Sequence, residues 1–166
     1  PHYISDPFLF QLGGNIETMT FKNIYWHRPK YKYALFQVGV PFYDRAWKIP
    51  PDNKPQIGTL ILDGLHIDDD CADAADTDYM YVKCPVNTLI IRDTEVLRSQ
   101  DLPVSGTFLR TLPGCELNLL IFDRVYTQKM RNFADLSEGE VGSVHSAGSI
   151  SFDMEGDFII KPAKNS

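Results

Sequence analysis

Apolar and polar residues alternate in short runs along most of this chain. The runs are rich in Thr, Ile, Val, Phe and Tyr and end at Gly, Pro, Asn or Asp. A period of two puts one side of each run inside and the other in solvent, so the runs predict β-strands rather than helices. Five runs resemble one another: Met19-Thr20-Phe21-Lys22-Asn23, Leu60-Ile61-Leu62-Asp63-Gly64, Leu89-Ile90-Ile91-Arg92-Asp93, Leu119-Leu120-Ile121-Phe122-Asp123 and Ile150-Ser151-Phe152-Asp153. Their last residues, Asn23, Gly64, Asp93, Asp123 and Asp153, stand 41, 29, 30 and 30 positions apart. A second alternating run leads into each: Leu9-Phe10-Gln11-Leu12, Leu35-Phe36-Gln37-Val38, Tyr81-Val82-Lys83-Cys84, Leu109-Arg110-Thr111-Leu112 and Val144-His145-Ser146-Ala147.

A repeat near thirty residues predicts an all-β chain, a right-handed parallel β-helix of about five coils. One coil cannot bury its inner face; coils stacked about 4.8 Å apart bury it and pair the backbone in parallel. The recurring Asn, Gly or Asp suits a corner, because these residues tolerate left-handed backbone angles. A β-sandwich shares the alternation, but its strands recur every roughly 8–12 residues without the longer period. We read residues 1–166 as one domain with loop excursions at 41–55, 68–78 and 128–142, where such scaffolds carry function. No amphipathic capping helix is readable at either end, and the chain opens at Pro1. That fits a slice of a longer helix, with oligomerisation through open coil ends as a further expectation.

Hydrophobic residues make up 43% of the chain and charged residues 23%, which excludes a disordered polymer. A net charge of -6 argues against a nucleic-acid partner, which needs excess Lys and Arg. No run approaches the roughly 18 apolar residues of a membrane-spanning helix. Cys71, Cys84 and Cys115 show no metal-ligand spacing, and their disulfide state is open.

Candidate chemistry falls in three places. Trp26 and Arg28 follow the first run, and Tyr43, Arg45 and Trp47 sit in the excursion at 41–55. Aromatic rings stack on the C–H faces of sugars and cations pair with uronates, so these five are the expected substrate-binding set. Packing of the rings over the stack is the alternative. The acidic segment holds Asp68, Asp69, Asp70, Asp73, Asp76 and Asp78. Asp68, Asp70 and Asp73 are candidate Ca2+ ligands, since that ion takes several oxygens from a flexible loop. The glycine and terminal Glu of an EF-hand are missing, and a solvated acidic turn is the alternative. His66, beside this loop, is a candidate acid or base. His27 reads as part of an irregular segment, and His145 as the equivalent of Gln11 and Gln37. Lys129, Arg131 and Asp135 would add charges to the same groove. No phosphate loop, nucleophile elbow or Cys–His pairing is readable.

The stretches Ile16-Glu17-Thr18-Met19-Thr20-Phe21-Lys22-Asn23-Ile24 and Val86-Asn87-Thr88-Leu89-Ile90-Ile91-Arg92-Asp93-Thr94 resemble the coil signature of the pectin-lyase-like superfamily. The resemblance implies a polymeric, often acidic, carbohydrate lying along the coils. Asp69-Asp70-Cys71 is similar to the paired aspartates and Cys of polygalacturonases, which implies Asp69 and Asp70 as catalytic. In that chemistry one carboxyl protonates the glycosidic oxygen while the other activates water. The rest of that pattern is missing: no Asn-Thr-Asp stands a coil earlier, no Gly-His-Gly a coil later and no Arg-Ile-Lys beyond it. Pectate-lyase-like relatives use calcium as an electrophile. The expectation is therefore part of a secreted or cell-surface polysaccharide-degrading enzyme, a glycoside hydrolase or lyase. A non-catalytic carbohydrate-binding module and a phage tailspike or fibre segment are the alternatives.

Overall fold

A computed structural model describes residues 8–28, 34–39, 54–70 and 78–161. Among them there are twelve strands and no helix. They are β1 (Phe8–Leu12), β2 (Ile16–Arg28), β3 (Ala34–Val38), β4 (Ile57–Asp69), β5 (Met80–Val82) and β6 (Val86–Arg98). After them come β7 (Thr107–Thr111), β8 (Glu116–Gln128), β9 (Asn132–Asp135), β10 (Glu140–Ala147), β11 (Ile150–Phe152) and β12 (Ile159–Ile160). The chain passes alternately between two sheets. One runs β1-β3-β5-β7-β9-β12; the other runs β2-β4-β6-β8-β10, with β11 also on β8. The strand pairings are parallel. Pairing each coil only with its neighbours is the arrangement the thirty-residue repeat calls for, and it is consistent with a parallel β-helix.

The long strands of the second sheet bend in the middle at a left-handed residue: Asn23 (φ 54), Gly64 (φ 74), Asp93 (φ 48) and Arg124 (φ 52). In the fifth coil Gly148 (φ 61) separates β10 from β11 at the same level. Asn, Gly and Asp take this conformation at little cost. Arg124 is held there by charge: its guanidinium donates to Asp93 at 2.6 and 2.8 Å and to Asp123 at 2.5 Å. Asp93 lies below the usual carboxylate range because Arg124 bonds it.

The corner file differs from the expected one. Asp123 pairs with Arg92, one position before the corner, and Arg124 takes its place. Two extra residues separate Thr111 from Leu117 relative to Val82 and Val86, which slides β8 by that amount. The excursion expected at 128–142 is corrected too: it contains β9, which pairs with β7 and buries Phe133 and Ala134, with Leu136 buried just after it. Val144 and His145 accordingly belong to β10, on the second sheet, where His145 pairs with Ile121. The file of Gln11 and Gln37 continues instead through Tyr81, Arg110 and Asp135 on the first sheet.

The core is a column of rings. Tyr79, Phe108, Phe133 and Phe158 follow one another with centroid spacings of 6.3, 4.9 and 5.1 Å. Phe10, Phe21 and Phe36 form a second group at 4.9 to 5.2 Å. Strand β3 bulges beside these rings: the Leu35 and Phe36 amides both donate to the Tyr79 carbonyl, at 2.8 and 3.0 Å. Phe133 and Ala134 repeat this on the Phe158 carbonyl. Two consecutive side chains then turn inward, which a regular pleat forbids.

Cys84 and Cys115 are free and buried just before β6 and β8, at equivalent levels of neighbouring coils. Burial pushes the Cys84 thiol up to about 11. Burial, with Cys84 beside it, pushes Cys115 up to about 12. Cys71 lies outside the described residues. The thiolate is the reactive form, so native protein at pH 7.5 is expected to leave Cys84 and Cys115 unlabelled by maleimide. Both should react in denaturant, read by peptide mass; rapid native labelling of either would contradict its burial.

Candidate functional site

Strand parity decides which acidic residues meet solvent. Inward positions of the second half of β4 are Leu65, Ile67 and Asp69; outward positions are His66 and Asp68, with Asp70 just beyond. Asp69 was the first expected catalytic residue, and the structure turns it inside, its side chain 1% exposed. The Tyr79 hydroxyl donates to its Oδ2, and Arg98 Nε lies 3.6 Å from the same oxygen. Arg98 is itself buried, and its Nη1 donates to the carbonyls of Pro103 (2.8 Å), Ser105 (2.9 Å) and Lys129 (3.0 Å). Asp69 is therefore the buried counter-charge of an arginine that ties together two turns, 99–106 and the one at Lys129.

Asp68 and Asp70 do face out, and register brings partners to them. Tyr25, His66 and Glu95 stand in one file across β2, β4 and β6, and His27, Asp68 and Leu97 in the next. The Tyr25 ring stacks on His66 at 5.0 Å and 11°, and its hydroxyl donates to Asp68. That bond raises the hydroxyl above its ordinary range. His66 lies between two carboxylates, with Nδ1 2.7 Å from Glu95 Oε2 and Nε2 3.4 Å from Asp68 Oδ1. His27 belongs to β2 rather than to an irregular segment, with Nε2 3.7 Å from Asp70. A cleft of about 250 Å³ runs beside them, lined by His27, Asp68, Asp70, Leu97 and Ser99, with the buried Asp69 and Arg98 at its floor. Two imidazoles with carboxylates at hand, beside an exposed ring, can carry protons and accept hydrogen bonds from hydroxyls.

Other expected residues fall elsewhere. Trp26 points inward, half-buried, with its indole edge-on to Tyr79 at 6.3 Å. Arg28 ends β2, its side chain outside the described set. Tyr43, Arg45, Trp47 and Asp73 also lie outside the described residues. Among those described, no three His, Cys, Asp or Glu are arranged to hold a metal ion. Lys129 donates to the carbonyls of Leu102 (2.8 Å) and Gln100. Arg131 lies 3.9 Å from Glu155. Asp135 sits on the outer face of the first sheet, where Arg110 bridges it (2.7 Å) and Asp78 (2.5 Å). Burial works against the Asp135 carboxylate, but bonds from Ser137 and Arg110 outweigh it and hold the group below its usual range.

Glu95 was not anticipated. It stands in the polar stretch Arg92-Asp93-Thr94-Glu95 between apolar runs, and only the 29-residue register from His66 brings it to the site. No protein-family model, curated protein or solved structure matches the chain. No helix among the described residues is long and apolar enough to cross a membrane.

Proposed function

We propose that this chain is a right-handed parallel β-helix of the pectin-lyase-like kind. On this reading it is part of a secreted or cell-surface enzyme that degrades polysaccharide, with the glycan lying along the coils. The observation that supports it best is the outer face of β2, β4 and β6. There Tyr25, 64% exposed, lies on His66, with Asp68 and Glu95 on either side of the imidazole. A ring for the C–H face of a sugar next to acceptors for its hydroxyls is what a glycan requires. Asp68, Asp70 and Glu95 are the carboxyls that meet solvent on this face and are available for acid and base work. The cations for a uronate, Arg28 and Arg45, belong to the expected set whose side chains are not described.

A non-catalytic carbohydrate-binding module is the second reading, favoured by the burial of Asp69 against Arg98. The two separate in one experiment, in which the chain is incubated with uronic-acid and neutral polysaccharides and assayed for reducing ends and for retardation in polysaccharide gels. An enzyme releases product and a module only migrates late. Tyr25→Ala is expected to weaken retention about tenfold, the scale of a lost aromatic contact. Neither cleavage nor retardation across the panel would end both readings.

A further inference from the structure

A second cavity lies away from the histidine face, where the turns enter the second sheet. It is a groove of about 570 Å³ crossing the starts of β2, β4, β6 and β8, within the volume range of ligand sites. Four side-chain amides line it, Asn15, Gln56, Asn87 and Asn118, beside Ile16, Ile57 and Pro85, with Glu17 and Glu116 at its two ends. Asn118 Nδ2 donates to Asn87 Oδ1 at 3.0 Å, so two amides are locked into a ladder along the stack. Gly58 sits between Glu17 and Asn87 in this file and leaves the gap. A Cβ there would run into the Glu17 carbonyl, so the backbone's close approach demands glycine.

We infer that this amide-lined groove is a second saccharide site, one that takes a neutral oligosaccharide running along the stack axis. The inference rests on the glycan reading above and names a ligand class for a different surface. Amides present donors and acceptors together, as vicinal hydroxyls do, and the ladder holds them in place before the ligand arrives. The groove's two charged side chains are both carboxylates, which repel uronates and sulfates. A shared metal ion is ruled out by spacing: Glu17 and Glu116 stand three coils apart, about 14 Å at the inter-strand distance. Amides repeating at each coil suit a polymer of repeating rings better than a compact metabolite.

The test is titration of the 15N-labelled chain with neutral hexasaccharides (β-1,4-glucan, β-1,4-mannan and α-1,4-glucan) and with hexagalacturonate, following the side-chain NH2 signals of Asn87 and Asn118. At least one neutral hexasaccharide is expected to shift both signals, and hexagalacturonate to leave them in place. Asn118→Ala should weaken binding roughly fivefold through loss of the ladder and its contact. Asn87→Trp, at an exposed position, should fill the groove and abolish binding with the fold intact. Glu17→Gln with Glu116→Gln should admit hexagalacturonate. The inference is overturned if no neutral hexasaccharide at millimolar concentration moves the amides, or if hexagalacturonate moves them as readily in the native chain. Tyr25→Ala keeps the two readings distinguishable, because it should cut polysaccharide retention and leave the amide shifts unchanged. Retention without amide shifts would remove only the groove; amide shifts without retention would remove only the histidine face.

Discussion

Asp69→Ala is expected to destabilise the fold by about 3–5 kcal/mol, the cost of leaving one member of a buried ion pair alone. The size follows from what stays behind. The Arg98 guanidinium is 2% exposed and would face an apolar void in place of a carboxylate, and the Tyr79 hydroxyl would lose its acceptor. Asp69→Asn should cost less, because the amide oxygen still accepts from Tyr79. Pairing Asp69→Ala with Arg98→Met should recover part of the loss, since the pair's absence is cheaper than half of it. Asp70→Ala, at the exposed end of the same strand, should stay within about 0.5 kcal/mol of the native chain. Urea unfolding of the four variants measures all of this. Equal, small losses at Asp69 and Asp70 would mean that Asp69 is not inside. The ranking also bears on function, because activity lost in Asp69→Ala alone would report unfolding rather than chemistry.

The repeat was legible because each inward position is apolar on coil after coil: Leu60, Leu89 and Leu120 stack, as do Leu62, Ile91 and Phe122. The same abundance hid the register of the fourth coil. Leu119-Leu120-Ile121-Phe122 is apolar on both faces, so parity does not say which residues point inward, and a one-residue slip looks equally good. The fifth coil was misread for the opposite reason. Glu140–Ala147 is mostly polar and exposed, while the strand before it, Asn132–Asp135, is only four residues long. The site was half legible. Asp68, Asp70 and His66 are conspicuous in sequence, but Glu95 and His27 reach them only through pairings of 29 and 41 residues, which depend on the turn lengths. The amide groove left no local mark, because its members come from four separate turns.

Phe133→Ala is expected to cost about 3–5 kcal/mol and to reveal how far each coil depends on the next. The ring is fully buried and touches Phe108, Phe122 and Phe158 at 4.9, 4.7 and 5.1 Å, so its removal opens a hole between three others. Phe158→Ala, at the half-buried end of the same column, should cost less. A stack in which each coil meets only its neighbours loses stability locally, as a sum of interface terms. Hydrogen exchange in Phe133→Ala should therefore rise in β9, β10 and β12 while β6 and β4, two and three coils away, keep their protection. Uniform loss of protection along the chain would mean that the coils unfold as one unit and that the column transmits the defect from end to end. Local loss would mean that the Tyr25–His66–Glu95 face and the part of the amide groove over β2, β4 and β6 can hold their geometry while the far coils fray. A glycan lying along the axis would then stabilise mainly the coils it touches.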